Sequence, residues 1–470
     1  MPIKFHLNGV LCEEDALPPT ISVLDYLREH KGQTGTKEGC AEGDCGACTI
    51  VLIHKNEFGN ASYEAVNSCL LMLPQLDGAN VVTVEGIADA ETLDPVQEAM
   101  VETDGTQCGF CTPGFIMALY ALRRGGEEPT DDVIHEALAG NLCRCTGYTP
   151  IVTAARKACG NAMPDVGSGP ATPLPSSSYA SGDQTFLRPV NLEDLAKLRA
   201  AHPAASLLAG GTDLGILTSK ERQPLPEIIS TAHVAELLEI TETGDHLELG
   251  AAVTYARALP YIERLYPSFA ALITRIGSRQ IRNMGTLGGN VGTASPIGDT
   301  PPCMIALDAT LVLYSLAGER ILPLEDFFLG YRETSLQAGE FIKAIRIPKL
   351  SSGQVFRAYK ISKRYDQDIS SVIGAYRIDI QDGKVSNIRV AFGGMAATPK
   401  RAPASEALLA GKDWTEETAL AAAPAIAEDF TPLSDHRASE VYRLRVAENL
   451  FVRLYRDLSD FEDLTDVVAA

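Results

Sequence analysis

The sequence predicts an α+β protein built from several domains. Three observations carry this. A chain of 470 residues exceeds what one hydrophobic core ordinarily organises. Hydrophobic residues at 45% and charged residues at 21% match a globular chain rather than a disordered or fibrous one. Alternating apolar runs and helical runs follow each other in blocks, with no tandem repeat.

The elements can be justified in order. Ile3, Phe5 and Leu7 alternate and lead into Asn8-Gly9, a hairpin signal. A helix is predicted from Ile21 to about Glu29, with Leu24 and Leu27 on one face. A glycine-rich cysteine loop, a strand over Thr49–Ile53, an Asn- and Gly-rich loop and a strand near Val81–Val84 complete a small α+β domain over 1–85. Residues 86–160 read as four short helices. Asp94-Pro95 with Gln97 forms a cap, first-turn proline and capping-box partner. Thr112-Pro113 and Thr149-Pro150 repeat the cap-proline signal, and Thr130-Asp131-Asp132 opens another helix. Gly125-Gly126 and Gly160 are stops. Residues 161–182 are rich in Pro, Gly, Ser and Ala and read as a linker. Strands, glycine-rich turns and helices then fill two further α+β domains, 183–350 and 351–470. Asp460, Glu462, Asp463 and Asp466 suggest a solvated acidic tail.

A formal net charge of −21 opposes binding to nucleic acid or anionic membranes. No apolar run approaches the roughly 20 residues of a membrane span. The start, MPIKFHLNGV, lacks the basic and apolar regions of a signal peptide, so the expected location is cytoplasmic. Eleven cysteines do not suit a closed disulfide framework, being odd in number and expected in a reducing compartment. Nine of them precede residue 146, and eight of these fall in two closely spaced groups, which points to metal.

The first group is Cys40-x4-Cys45-x2-Cys48 with Cys69 further on. Zinc sites commonly use two short symmetric spacings, whereas this asymmetric pattern matches the plant-type [2Fe–2S] spacing. Gly35, Gly39, Gly43 and Gly46 allow a tight loop whose N–H groups turn toward thiolates. The second group is Cys108-x2-Cys111 and Cys143-x-Cys145. Its two short pairs suit zinc and iron–sulfur equally. Cys111 and Cys145 each lie just before a helix start, whose partial positive charge favours an anionic cluster.

The stretches GCAEGDCGACTI (39–50), QCGFCTPGF (107–115) and GNLCRCTGYTP (140–150) resemble the two-cluster module of the molybdenum hydroxylase family, which includes xanthine dehydrogenase, aldehyde oxidase and carbon monoxide dehydrogenase. The resemblance implies a β-grasp, plant-type ferredoxin domain followed by a four-helix [2Fe–2S] domain. By it, Cys40, Cys45, Cys48 and Cys69 hold one [2Fe–2S] cluster, and Cys108, Cys111, Cys143 and Cys145 hold the other. Cys12, Cys159 and Cys303 match no ligand position and are expected to be buried structural thiols.

After the linker, LLAGGTDLG (207–215) has neither the tail of a P-loop nor the spacing of a Rossmann fingerprint. A second loop, GTLGGNVGTASPIGD (285–299), adds five glycines, three hydroxyls and Asn290. Two such loops could surround a pyrophosphate with backbone donors, or be ordinary turns. Both resemble the FAD loops of the same family, which implies an α+β FAD-binding domain with a C-terminal α+β domain. By that resemblance Leu207, Leu208, Ala209, Gly210, Gly211, Thr212, Asp213 and Leu214, with Thr286, Leu287, Gly288, Gly289 and Asn290, take the FAD diphosphate and ribose. Asp299, Ile342 and Lys360 fall at further FAD positions. Lys360 also reads as an ordinary surface lysine, and the Leu and Ile positions also read as core packing. Ile276 stands where mammalian members place an aromatic residue; an aliphatic side chain covers a flavin but does not stack on it. Tyr331-Arg332 and the loop Ile361–Asp368 resemble the nicotinamide side, and each also reads as plain surface.

The resemblance implies the electron-transfer chain of a xanthine dehydrogenase-like enzyme. Molybdopterin would sit on a larger partner subunit in an α2β2 heterotetramer, and NAD would be the acceptor. No substrate base is legible, and the histidines show no HExxH spacing. An aldehyde or other N-heterocycle hydroxylase would use the same chain, and a non-enzymatic alternative is a zinc-stabilised scaffold.

Overall fold

A computed structural model describes residues 1–55, 60–88, 91–160 and 175–459. They form two compact units. One comprises Met1–Leu238, Thr254–Arg257 and Gly277–Thr286, and the other Glu239–Val253, Ala258–Ile276 and Leu287–Ala470.

The first unit begins with strands β1 (Ile3–Leu7) and β2 (Val10–Glu14), joined by the expected Asn8-Gly9 turn. Both turn residues have positive φ, 51° and 80°, which suits a two-residue hairpin. The predicted helix is a short α1 (Val23–Asp25) capped by the Ser22 hydroxyl, continuing as a π-helical turn to His30. Strand β3 (Thr49–Lys55) pairs antiparallel with β4 (Ala61–Asn67). This corrects the expectation of a loop after β3: Ala65 and Val66 are buried, and pairing overrides the turn-forming residues at its ends. Strand β5 (Asn80–Val82) completes a mixed sheet in the order β2-β1-β5-β3-β4. Its parallel β1–β5 pair and the crossing helix make this a β-grasp.

Four helices follow: α2 (Pro95–Glu102), α3 (Thr112–Gly125), α4 (Asp131–Leu138) and α5 (Thr149–Cys159). Asp94 and Gln97 form the predicted capping box, and Thr130 caps α4. Thr112 and Thr149 are not caps. The N-cap positions belong to Cys111 and Tyr148, because the prolines occupy the second helical residue. Phe115, Leu119, Ile134, Ile151 and Ala155 close the core.

Of the expected linker, 161–174 lies outside the described residues, as does the acidic tail from 460. Ser177–Ser181, at its end, is strand β6 rather than linker, paired with β7 (Gln184–Arg188). Helix α6 (Leu192–Ala201), β8 (Ser206–Leu208), α7 (Leu214–Ser219) and β9 (Glu227–Ser230) complete a sheet ordered β6-β7-β9-β8.

In the second unit β10 (Ile240–Glu242), β11 (His246–Gly250), β12 (Thr310–Ser315), β13 (Gly318–Pro323) and the long strand Phe341–Pro348 form an antiparallel sheet. A further antiparallel sheet contains Gln354–Ile361, Val372–Gln381 and Lys384–Gly393. The helix Glu440–Asp457 belongs to its core, where Tyr376 meets Phe392 and Phe451 edge-on. Among the described residues no helix is long and apolar enough to cross a membrane.

Candidate redox site

The loop before β3 carries Cys40, Cys45 and Cys48, and Cys69 follows β4. Their thiols meet in pairs, Cys40 with Cys45 and Cys48 with Cys69. The helical domain repeats this, with Cys111 beside Cys143 and Cys108 beside Cys145. Among the described residues no three or more Cys, His, Asp or Glu side chains gather around one metal-ion position. A zinc ion wants four ligands about a single point. Two thiolates for each of two irons is the demand of a [2Fe–2S] cluster, and the paired cysteines fit it.

The surrounding donors suit anionic sulfur. The Cys40 sulfur accepts from the Glu42 and Cys45 N–H groups, each at 3.4 Å. The shared Cys40–Cys45 contact favours the thiolate on Cys40 and disfavours it on Cys45, so one proton is shared by the pair until metal displaces it. Gly43 (φ 84°) and Gly46 (φ 65°) supply the left-handed turns that aim these amides inward. In the second set the Thr146 N–H donates to the Cys143 sulfur at 3.5 Å, and its hydroxyl lies 3.2 Å away. The Cys143 N–H donates to the Tyr148 phenol at 3.0 Å. Tyr148 has φ 67°, an uncommon conformation for an aromatic residue, held by Phe115 edge-on against its ring. Cys48 and Cys69 are buried, whereas Cys108 and Cys145 are exposed.

The two cysteine loops touch through their backbones. The Leu142 N–H donates to the Cys45 carbonyl at 3.0 Å, and the Asn141 amide donates to the Gly46 carbonyl at 3.0 Å. A Cβ on Gly46 would lie 2.2 Å from the Gly140 oxygen, and one on Gly114 would lie 2.2 Å from the Gly46 oxygen. Only glycines permit this approach. Cys12, Cys159 and Cys303 are buried, and their thiols reach backbone carbonyls of Val10, Leu119 and Asp299.

The residues expected at FAD fall in both units. In the first, Leu208 is core, Leu207, Ala209, Gly210, Thr212 and Leu214 are half-buried, Gly211 is buried and Asp213 is exposed. Gly210 lies against the chain before Thr286: a Cβ there would be 1.7 Å from the Met284 oxygen. Gly215 abuts Leu70, the neighbour of Cys69, with its Cβ position 2.3 Å from the Leu70 oxygen. The Ser219 hydroxyl donates to the Ala41 carbonyl at 2.7 Å, and Lys220 pairs with Glu42. The first glycine loop and α7 therefore rest on the Cys40–Cys69 site.

In the second unit Leu287 and Gly288 are buried and Gly289 is exposed. The Asn290 side-chain oxygen accepts from Thr300 at 2.7 Å. Lys360 is not a surface residue. Its ammonium is buried against the Asp299 carboxylate at 2.5 Å, which also accepts from Ser370 at 2.8 Å. Ile342 is all but buried, opposite Leu313. Half-buried Ile276 follows Arg275, whose guanidinium binds the Lys360 carbonyl and Ser362 and stacks on Tyr365, anchoring the loop that starts at Ile361. Arg364 and Asp366 on that loop, and Tyr331, are exposed.

Sequence reasoning missed Asn141, Thr146 and Tyr148, although all three stand inside the stretch GNLCRCTGYTP. It also missed Gln280, which nothing in the local pattern marks.

Comparison with known proteins agrees with this geometry. Residues 5–73 match the 2Fe-2S iron-sulfur cluster binding domain and 83–156 the [2Fe-2S] binding domain. Residues 180–350 match the FAD binding domain in molybdopterin dehydrogenase, and 357–458 the CO dehydrogenase flavoprotein C-terminal domain. The whole chain is 35% identical to 40% of xanthine dehydrogenase from Emericella nidulans. Over 88% of its length it is 31% identical to 36% of aldehyde oxidase 2 from Cavia porcellus. The chain thus spans about two fifths of these curated relatives. Among solved structures, it resembles carbon monoxide dehydrogenase from Hydrogenophaga pseudoflava, at 30% identity and a TM-score of 0.55 over 57% of this chain and 94% of that one. Quinoline 2-oxidoreductase from Pseudomonas putida 86 gives 29% and 0.53 with the same coverage. With two [2Fe–2S]-binding domains ahead of an FAD-binding domain, this chain belongs to the iron–sulfur/FAD electron-transfer chains of the molybdenum hydroxylase family.

Proposed function

We propose that this chain carries electrons from a molybdenum centre on a larger partner subunit, in a cytoplasmic α2β2 enzyme of the xanthine dehydrogenase type, to NAD+. Purine hydroxylation, hypoxanthine and xanthine to urate, would take place on the partner. The observation that carries the reading is the order of contacts in the first unit. The exposed Cys108–Cys145 end leads through the Leu142–Cys45 hydrogen bond to the Cys40–Cys69 site, and Leu70 beside that site meets the first glycine loop.

Bound here, each cluster would carry single electrons, and the flavin would take two and release them as a hydride. The chain's own residues hold and screen these groups. Cys40, Cys45, Cys48 and Cys69 would hold one cluster, and Cys108, Cys111, Cys143 and Cys145 the other. Amides of Glu42 and Cys45 stabilise added negative charge at sulfur. Leu207–Leu214 and Thr286–Asn290 would bind FAD mainly through main-chain groups, since Leu208 and Leu287 turn into the core. Asp299, Ile342 and Lys360 are assigned to FAD by the resemblance to the family's flavin domain. The Asp299–Lys360 pair would fix a buried charge arrangement there, Ile276 would cover the flavin without stacking, and the loop Ile361–Asp368, exposed at 363–366, would border the nicotinamide. Exposed Phe110, Leu142 and Tyr148 around Cys108 and Cys145 offer the apolar rim a partner subunit would cover.

The test is purification with the partner chain. Expected are a reddish-brown protein with iron, acid-labile sulfide and FAD, reduction by hypoxanthine in preference to aldehydes, and rapid reoxidation by NAD+ with oxygen a poor substitute. Reduction by aldehydes alone would transfer the reading to an aldehyde hydroxylase, and zinc without labile sulfide would refute it.

A further inference from the structure

Gln280 is buried, 1% exposed, in the short helix Arg279–Arg282 that precedes the second glycine loop. Its Nε2 donates to the Asn141 side-chain oxygen at 2.9 Å and to the Thr49 hydroxyl at 3.3 Å. Asn141 in turn donates to the Gly46 carbonyl at 3.0 Å and faces Thr49 at 3.3 Å, and the Thr49 hydroxyl donates to Gly46 at 2.6 Å. The network closes on the point where the Leu142 N–H meets the Cys45 carbonyl. That hydrogen bond joins the backbone of one cysteine site directly to the residue preceding Cys143 in the other.

The network is expensive for a purely structural filler. Burying an amide is unfavourable unless its groups are bonded, and the Gln280 Oε1 has no hydrogen-bond partner among the described residues. It lies over Gly140 instead, whose Cβ position is 2.1 Å away, so what the glutamine contributes to the network is its two donations. The segment is fixed independently. Arg279 binds Glu127 at 2.7 Å, and both Arg279 and Arg282 pair with Glu136 on α4, just before Gly140-Asn141. Ile281 packs with Cys48, Cys69 and Leu70.

We propose that Gln280 is a positioning residue for electron exchange between the two cysteine sites, acting through Asn141 to hold the Cys45–Leu142 hydrogen bond. The proposal rests on the reading that both sites carry [2Fe–2S] clusters. One electron crossing the seam oxidises one cluster and reduces the other, and no proton moves. The seam links the sites through main chain, so its geometry governs their coupling. The helix ahead of the flavin loop thereby sets a contact between two iron–sulfur sites that it does not ligate.

The experiment compares the holoenzyme with Gln280→Met, which conserves volume, and Gln280→Glu, which conserves length. Met removes both donations, and Glu in its ionised form replaces them with acceptors. Iron, sulfide and the two EPR signals of the reduced protein report loading. A wild type without two [2Fe–2S] signals would sink the cluster reading itself, whatever Gln280 does. With both signals present, the variants should keep them yet show a weakened magnetic interaction between the clusters. Intercluster equilibration should slow severalfold. Hydrogen exchange of the peptide containing Leu142 should rise about tenfold, as loss of one hydrogen bond allows, while peptides of the second unit stay unchanged. Unaltered interaction, rate and exchange in either fully loaded variant would overturn the proposal. Where neither variant loads, wild-type exchange decides: slow exchange at Leu142 supports the clamped seam, and exchange at the rate of an exposed amide overturns it.

Discussion

Replacing Gly210 with alanine isolates the contact on which the proposed flavin site depends. Gly210 does not occupy the left-handed region, so alanine brings no backbone penalty there and its effect is steric alone. The new Cβ would stand 1.7 Å from the Met284 oxygen and 2.3 Å from its carbonyl carbon. Cβ atoms keep at least 3.0 Å from such atoms, so the two segments must part by at least the 1.3 Å difference. Both are backbone, and no side chain can rotate away. Overpacking of this kind costs about 1–3 kcal/mol, and the displaced residue, Met284, leads directly into Thr286. If that strain falls on the FAD-bound geometry, affinity drops about 5- to 150-fold. The assay is FAD-to-protein ratio and flavin dissociation constant, with iron and sulfide measured alongside. Expected is lost flavin with both clusters kept, because no cluster ligand lies on either segment. Gly244→Ala is the control, since its Cβ meets nothing within 4 Å. A Gly210→Ala protein with an unchanged FAD dissociation constant would refute the assignment of this loop.

Cys145→Ser should remove the helical-domain cluster and leave FAD bound; unchanged iron and two unaltered EPR signals would exclude Cys145 as a ligand. Lys360→Met strands a buried Asp299 carboxylate and should cost about 3–5 kcal/mol in unfolding free energy, whereas Lys360→Met with Asp299→Asn should recover much of that in a double-mutant cycle. Burial, helped by Arg188, pushes His233 down to about 4. The unfolded chain, near 6.5, then binds the extra proton, so its stabilising contribution is whole above pH 6.5 and is lost as pH falls toward 4. Urea unfolding should show about 2 kcal/mol of this loss between pH 7 and 5, absent in His233→Gln.

What was legible in the sequence divides by range. Caps at Asp94 and Thr130 and the Asn8-Gly9 turn are encoded within a few residues, and the structure has them in place. Strand β4 escaped because its Asn and Ser residues signal turns, while its burial comes from α3, with Ala65 packing beside Tyr120 and Ala121. The helix starts at Thr112 and Thr149 were misassigned by one residue because a proline fits the second helical position as well as the first. The alternative of Lys360 as a surface lysine stayed open in the sequence because its partner, Asp299, is 61 residues away. Gln280 was invisible for the same reason: Asn141 and Thr49 lie 139 and 231 residues from it.

The glycines explain why the first unit holds its sites in register without large side chains between them. Gly46 against Gly140, Gly114 against Gly46, Gly210 against Met284 and Gly215 against Leu70 are all contacts of main chain with main chain. Side chains hop between rotamers, but backbone fixed on both sides by hydrogen bonds cannot move without breaking them. Main-chain contact therefore limits how closely the two cysteine loops, and Leu70 and the first glycine loop, approach each other. A chain that must pass charge at a constant rate gains from this, because the rate falls steeply with any loosening of its contacts. It follows that a Cβ at any of these positions is penalised by overpacking even where the added atom would be chemically inert. Gly109, Gly147 and Gly182 have open space at the Cβ position and positive φ, so they answer to turn geometry alone. Asparagine, which tolerates the left-handed region, should be accepted at those three positions and rejected at Gly46, Gly114 and Gly215.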